Sequence, residues 1–310
     1  MAILTSTLNQ TAFLFGLIII GYVLVKLKVL PDNTAAVLSK LENVLFIPGL
    51  VMGTFIDNFT PERIASARIL LAVSALISIV AAGFAIVVAR VFTRDKYIRN
   101  IYTYGLSFSN FGFMGNAVVK SLFPDIFFEY LIFTLPLWIL IYLWGVPCLL
   151  MRDTEKKRTF AENLKSFVNP MFIGMIVGMI IGICGIKLPV WLTSIITVAG
   201  DCMSPIAMLL TGVVVSSISL KKTFTNLKIY GISIVRLVIM PLIFVFASSF
   251  VKLPQIVYIC SLCSLAMPLG LNTIVIPSAL GKDTSEAAGM TLISHLLSCI
   301  TIPLLFTFIG

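Results

Sequence analysis

Apolar runs about as long as a bilayer is thick alternate with short polar stretches along the whole of this 310-residue chain. A helix rises about 1.5 Å per residue, so about 20 apolar residues cross the hydrocarbon core. That rule predicts ten spans, at 9–28, 35–56, 69–92, 101–121, 127–150, 167–186, 190–217, 227–250, 256–280 and 286–309. The expected fold class is an all-α polytopic membrane protein. The longest polar connection, Arg152 to Arg158, follows the fifth span and divides the ten into five and five. An odd number of spans per half makes the second half insert with opposite topology, the condition for an inverted repeat. The expected domains are a five-helix repeat over 1–150, a linker over 151–166 and a second five-helix repeat over 167–310.

Two spans depart from the apolar pattern. The fourth carries Asn110, Gly112, Gly115, Asn116 and Lys120 between Ser107 and Pro124, and the ninth carries Pro268, Gly270 and Asn272. Unpaired polar groups in hydrocarbon cost several kcal/mol each, so these need a partner, a cavity or a ligand. Paired, interrupted segments at corresponding places in two halves point to a transporter's substrate site. Pro268 removes a backbone donor and breaks its helix, and Asn272 is expected one turn further on, on the same face. The freed helix amino termini present N–H groups and the positive dipole end, which suits anions.

Composition narrows the classes. At 59% hydrophobic, 11% charged and mean hydropathy +1.08, the chain leaves no soluble domain over. The net charge of +9 is spread through short loops with no basic face interleaved with aromatics, so a nucleic-acid partner is not expected. It reads instead as an orientation signal: with the amino terminus outside, the odd-numbered loops hold 16 of the 22 Lys and Arg. Both termini are then extracytoplasmic and the linker is cytoplasmic. Lys26 and Lys28 follow the first apolar run and no basic residue precedes it, so it reads as a retained span. The six cysteines lie in or beside apolar runs as small hydrophobes, and Cys260 with Cys263 has no second ligand pair to make a metal site.

The run Asn110-Phe111-Gly112-Phe113-Met114-Gly115-Asn116 resembles the signature of the auxin efflux carrier family, a relative of the bile acid:sodium symporter fold, and Pro268-x-Gly270-x-Asn272 resembles its counterpart. Asn43 with Pro48, Asn169-Pro170, and Arg236 with Pro241 are weaker matches. The resemblance implies that broken helices four and nine cross near the midplane with substrate beside the crossing. It further implies a scaffold of spans one, two, six and seven, a moving domain of the other six, and a small organic anion as substrate. In compact bacterial-type relatives dicarboxylates such as malate or malonate are expected, whereas auxin is a plant substrate.

The candidate substrate-binding residues are thus Asn43, Asn110, Gly112, Gly115, Asn116, Arg236, Pro268, Gly270 and Asn272. Arg236, alone among basic residues near the middle of a span, belongs to the substrate path, to a structural pair with a carboxylate such as Asp201, or reaches toward the interface. Asp201 and the single histidine, His295, are the candidates for proton coupling. Gly174, Gly178 and Gly182 line one helix face for close packing, within the protomer or across a homodimer. No cofactor or metal is expected. A sodium-coupled symporter is disfavoured because spans four and nine contain no Asp or Glu. An intramembrane lipid-modifying enzyme would need a cluster of acids, bases or metal ligands. No phosphate-binding loop, His-Glu-x-x-His or nucleophile elbow occurs.

Overall fold

The computed structural model describes residues 2–59, 61–151, 170–279 and 282–308. Among these, every regular element is helical and no strand is present. The first half comprises α1 (Ala2–Lys26), α2 (Thr34–Leu41), α3 (Ile47–Asn58), α4 (Pro61–Phe92), α5 (Lys96–Ser107), α6 (Asn116–Leu122) and α7 (Phe127–Leu140). The second comprises α8 (Pro170–Cys184), α9 (Val190–Val215), α10 (Leu220–Thr225), α11 (Leu227–Ile234), α12 (Met240–Ser248), α13 (Gln255–Ala266), α14 (Asn272–Ala279) and α15 (Ser285–Phe308). Wider π turns at Glu42–Phe46, Phe111–Gly115, Ile141–Leu150 and Val235–Ile239 join or extend helices.

Six helical stretches among the described residues are long and apolar enough to cross a bilayer: Thr34–Asn58, Ala67–Phe92, Pro124–Leu150, Val190–Val215, Leu227–Ser248 and Ser285–Thr307. Ala12–Lys26, Pro170–Cys184 and Gln255–Ala266 are apolar but shorter. The linker beyond Met151, with the basic residues that weigh most in the orientation argument, lies outside the described residues.

Small residues decide which helices touch. A Cβ on Gly174, Gly178 or Gly182 of α8 would come within 3.0, 2.7 and 2.7 Å of the carbonyl oxygens of Pro48, Met52 and Phe55, so only glycine lets α8 lie this close to α3. Gly49 and Gly200 do the same between α3 and α9. This glycine face is therefore filled within the chain, and a homodimer would use another face. On the same helix Ile173, Ile176, Ile180 and Ile183 point outward and exposed, as hydrocarbon contact requires.

Two packed groups result. In one, α3 lies on α8 and α9, and α1 lies on α9. In the other, α4 packs on α5 and α7, α13 on α7 and α12, and α11 on α15. They meet where α1 touches α6 and α15, where α9 touches the 111–115 turn, and where α3 touches α7.

Candidate functional site

The site begins with two helices that stop short. Pro268 pushes the preceding residue out of the helical region, and Met267 is extended at φ −70°, ψ 147°. Helix α13 accordingly ends at Ala266, and α14 begins at Asn272. Pro268 and Asn272 are thus not one turn apart on a helix face: an extended segment separates them. In the first half α5 ends at Ser107, Phe108 is extended, and Asn110 caps the next turn by accepting from the Met114 N–H at 3.4 Å.

The two extended segments pair with each other. Ser109 and Leu269 form an antiparallel bridge, the Asn110 N–H donates to Pro268 O at 2.7 Å, and Ser109 Oγ donates to Ser264 O at 2.7 Å. Each break supplies the partners the other has lost. Gly270 permits the approach, since a Cβ there would sit 2.9 Å from Phe108 O. Gly112 rests on the Trp138 ring and Gly115 on the Tyr130 hydroxyl.

Arg236, fully buried, closes one end of this crossing. Its Nη1 donates to Leu106 O at 2.9 Å, Nη2 to Ser264 O at 2.9 Å and Nε to Met267 O at 3.2 Å. Those carbonyls belong to the carboxyl-terminal ends of α5 and α13, where unpaired C=O groups and the negative dipole end favour a cation. The pairing with Asp201 entertained from sequence is not formed: Arg236 is held by backbone carbonyls, and Asp201 lies on another face.

His295, also buried, ties the crossing to α15. Its Nδ1 lies 2.8 Å from Thr291 O, which can only accept, so Nδ1 carries the proton. Nε2 is then the acceptor for Asn110 Nδ2, at 2.9 Å. Asn272 Nδ2 donates to the Tyr104 hydroxyl at 3.0 Å. Asn110, Gly112, Gly270 and Asn272 line one small cavity of about 10 Å³, room for a single water.

Asn116 faces the other way. It is 6% exposed, its Oδ1 has no hydrogen-bond partner, and it lines a cavity of about 260 Å³ between α6 and α9. One turn along α6, Lys120 Nζ bonds Asp201 Oδ1 of α9 at 2.7 Å. Both members of this ion pair also line an adjoining cavity of about 460 Å³ that reaches Asp57 and Asp125. Asn43 is not brought to the crossing: it is exposed, and Nδ2 donates to Ser39 O of its own helix at 2.8 Å.

A profile of the membrane transport protein family matches residues 6–306. The chain belongs to that family, the auxin efflux carriers. Among curated proteins none matches it significantly. In this transporter the sequence reading passed over two groups. Lys120 stood in the singled-out stretch, but nothing local tied it to Asp201, 81 residues away. Glu42 lies fully buried in the π turn between α2 and α3, with neither carboxyl oxygen hydrogen-bonded. An acid inside the Thr34–Asn58 span was the signal available for it.

Proposed function

We propose that this transporter carries small organic anions, dicarboxylates of the malonate or malate size, by alternating access around the crossing. One observation carries the reading. Beside the helix that follows the first break lies a cavity of about 260 Å³ lined by a buried amide with an unpartnered oxygen and by a lysine. The crossing's own side chains bond one another, whereas Asn116 lines open space and Lys120 is held there only by the exposed Asp201 carboxylate. An amide's oxygen and nitrogen are interchangeable by a flip, so Asn116 can donate to a carboxylate. The Lys120 ammonium supplies the charge.

We further propose ten spans in a 5+5 inverted repeat, with α5–α6 as span four and α13–α14 as span nine. The two packed groups support a scaffold of spans one, two, six and seven and a moving unit of the rest. Under the topology with both termini outside, the Asn116 cavity opens to the extracytoplasmic face. Coupling to sodium is disfavoured because residues 107–122 and 266–280 contain no Asp or Glu to offset the cation's charge. Protons or no coupling remain, with Asp201 and His295 the candidate proton carriers.

A thermal-shift screen of detergent-purified protein against mono- and dicarboxylates tests the substrate class. Binding to the native state alone raises the melting temperature, by an amount equivalent to about 2.7 kcal/mol at a hundred times Kd. No shift with any carboxylate, alongside a shift with a cationic or neutral solute, would reject the anion reading. For coupling, initial rates that follow a sodium gradient at constant membrane potential would overturn the sodium-free account.

A further inference from the structure

The Lys120–Asp201 pair sits at a seam. Lys120 belongs to α6, downstream of the first break, while Asp201 belongs to α9 and so to the group of α1, α3, α8 and α9. Asn116 and Lys120 are four residues apart and share a face of α6. Asp201 and Ser204 are three apart and share the facing side of α9. Both cavities are lined by both charged residues, so the ion pair stands where the two cavities adjoin. The side chains are 50% and 56% exposed, so water and solutes reach the pair.

We propose that this ion pair is a substrate-displaceable latch. In the empty carrier the Asp201 carboxylate occupies Lys120 as a surrogate for a substrate carboxylate. An incoming organic anion takes the ammonium and releases Asp201, removing an ionic tie between the two helix groups. This rests on the anion reading above and extends it, because it names the group that competes with substrate and links occupancy to motion. An exposed pair of this kind is weak enough for a ligand's carboxylate to displace. The empty carrier is held by the tie and the loaded one is not, so exchange of anions outpaces net flux.

The test compares wild type with Asp201→Asn, Lys120→Gln and Lys120→Arg, using malonate as dicarboxylate probe, acetate as monocarboxylate and glycine as zwitterion. Removing the competitor is expected to tighten malonate binding in Asp201→Asn by about two- to fivefold, following from the weakness of an exposed pair. Lys120→Gln is expected to weaken it by about tenfold or more, and Lys120→Arg to restore most of it. In proteoliposomes, malonate on the opposite side is expected to accelerate wild-type efflux, and Asp201→Asn to lose that acceleration through faster net efflux. Unchanged or weaker malonate binding in Asp201→Asn would overturn the latch while leaving the anion reading intact. Glycine binding abolished by either Asn or Gln substitution would replace it with a site for zwitterions. Wild type that binds none of the three probes would remove the anion reading and the latch together. Monodisperse elution of each variant establishes that it is folded.

Discussion

The two sides of the crossing use similar residues to opposite ends. On one side Asn110, Asn272, His295 and Arg236 each have partners within the protein, and the space left is about 10 Å³. On the other, Asn116 keeps an unpartnered oxygen, Lys120 holds only an exposed carboxylate, and about 260 Å³ is open. The difference teaches that a polar group in a membrane protein is informative through what it lacks. A satisfied amide holds the breaks together, and an unsatisfied one is available to a ligand.

The largest effect is expected from Arg236→Met. The carbonyls of Leu106 and Met267 would lose the Arg236 donor and that of Ser264 would keep only Ser109 Oγ, at about 1 to 3 kcal/mol for each left unpaired. The variant is expected not to survive purification as a monodisperse species. Wild-type thermal stability would mean that the crossing does not need its cation and that the closed side tolerates unpaired carbonyls.

Next comes backbone approach. Gly270→Ala puts a methyl 2.9 Å from Phe108 O, and overpacking of this kind costs about 1 to 3 kcal/mol. Gly83→Ala in α4, where a Cβ meets nothing within 4 Å, is the control and is expected to be neutral or stabilising by up to about 1 kcal/mol. Equal melting temperatures for the two variants would contradict the close pairing of the breaks.

The comparison is sharpened by Asn110→Ala against Asn116→Ala. The first leaves His295 Nε2 without its donor and is expected to lower stability by about 1 to 3 kcal/mol. The second removes a side chain whose oxygen has no partner, so stability should fall by less than in Asn110→Ala. Unfolding of both variants in the same detergent checks this, and the reverse order would exchange the roles of the two sides.

The smallest effect lies in the connection before α15, where Asp283 accepts from the Ser285 N–H at 2.9 Å and Oγ at 2.6 Å. Those bonds hold its carboxyl below the ordinary carboxylate value. The stability they contribute is therefore present above that ordinary value and lost as pH falls through the lowered one. Asp283→Asn is expected to flatten the acid limb of a melting-temperature profile slightly, and an unchanged limb would remove this cap from the account.

Much of the fold is legible locally. Hydropathy gave the apolar helices, and Pro268 together with the glycines of the fourth span marked where helices stop, because missing donors and missing side chains act within a turn of themselves. The partners were not legible. Asn110 meets His295 across 185 residues and Arg236 meets Leu106 across 130, distances over which a single sequence carries no pairing signal. Asp201 read as a candidate for Arg236 on charge alone, and Lys120 holds it instead. Asn43 shared the residue type of the crossing but not its place. Glu42 was legible as an acid inside a span, but its full burial without a partner was not.

The most direct measurement is uptake of labelled malonate into sodium-free proteoliposomes holding wild type or Asn116→Ala. The expected result is saturable uptake by wild type, accelerated by malonate inside. The loss of one hydrogen bond to a charged ligand, about 1.5 to 3 kcal/mol, should raise the half-saturating concentration about 10- to 150-fold in Asn116→Ala. Uptake that rises linearly with concentration, or kinetics identical in the two proteins, would contradict a carrier whose anion site lies on the open side of the crossing.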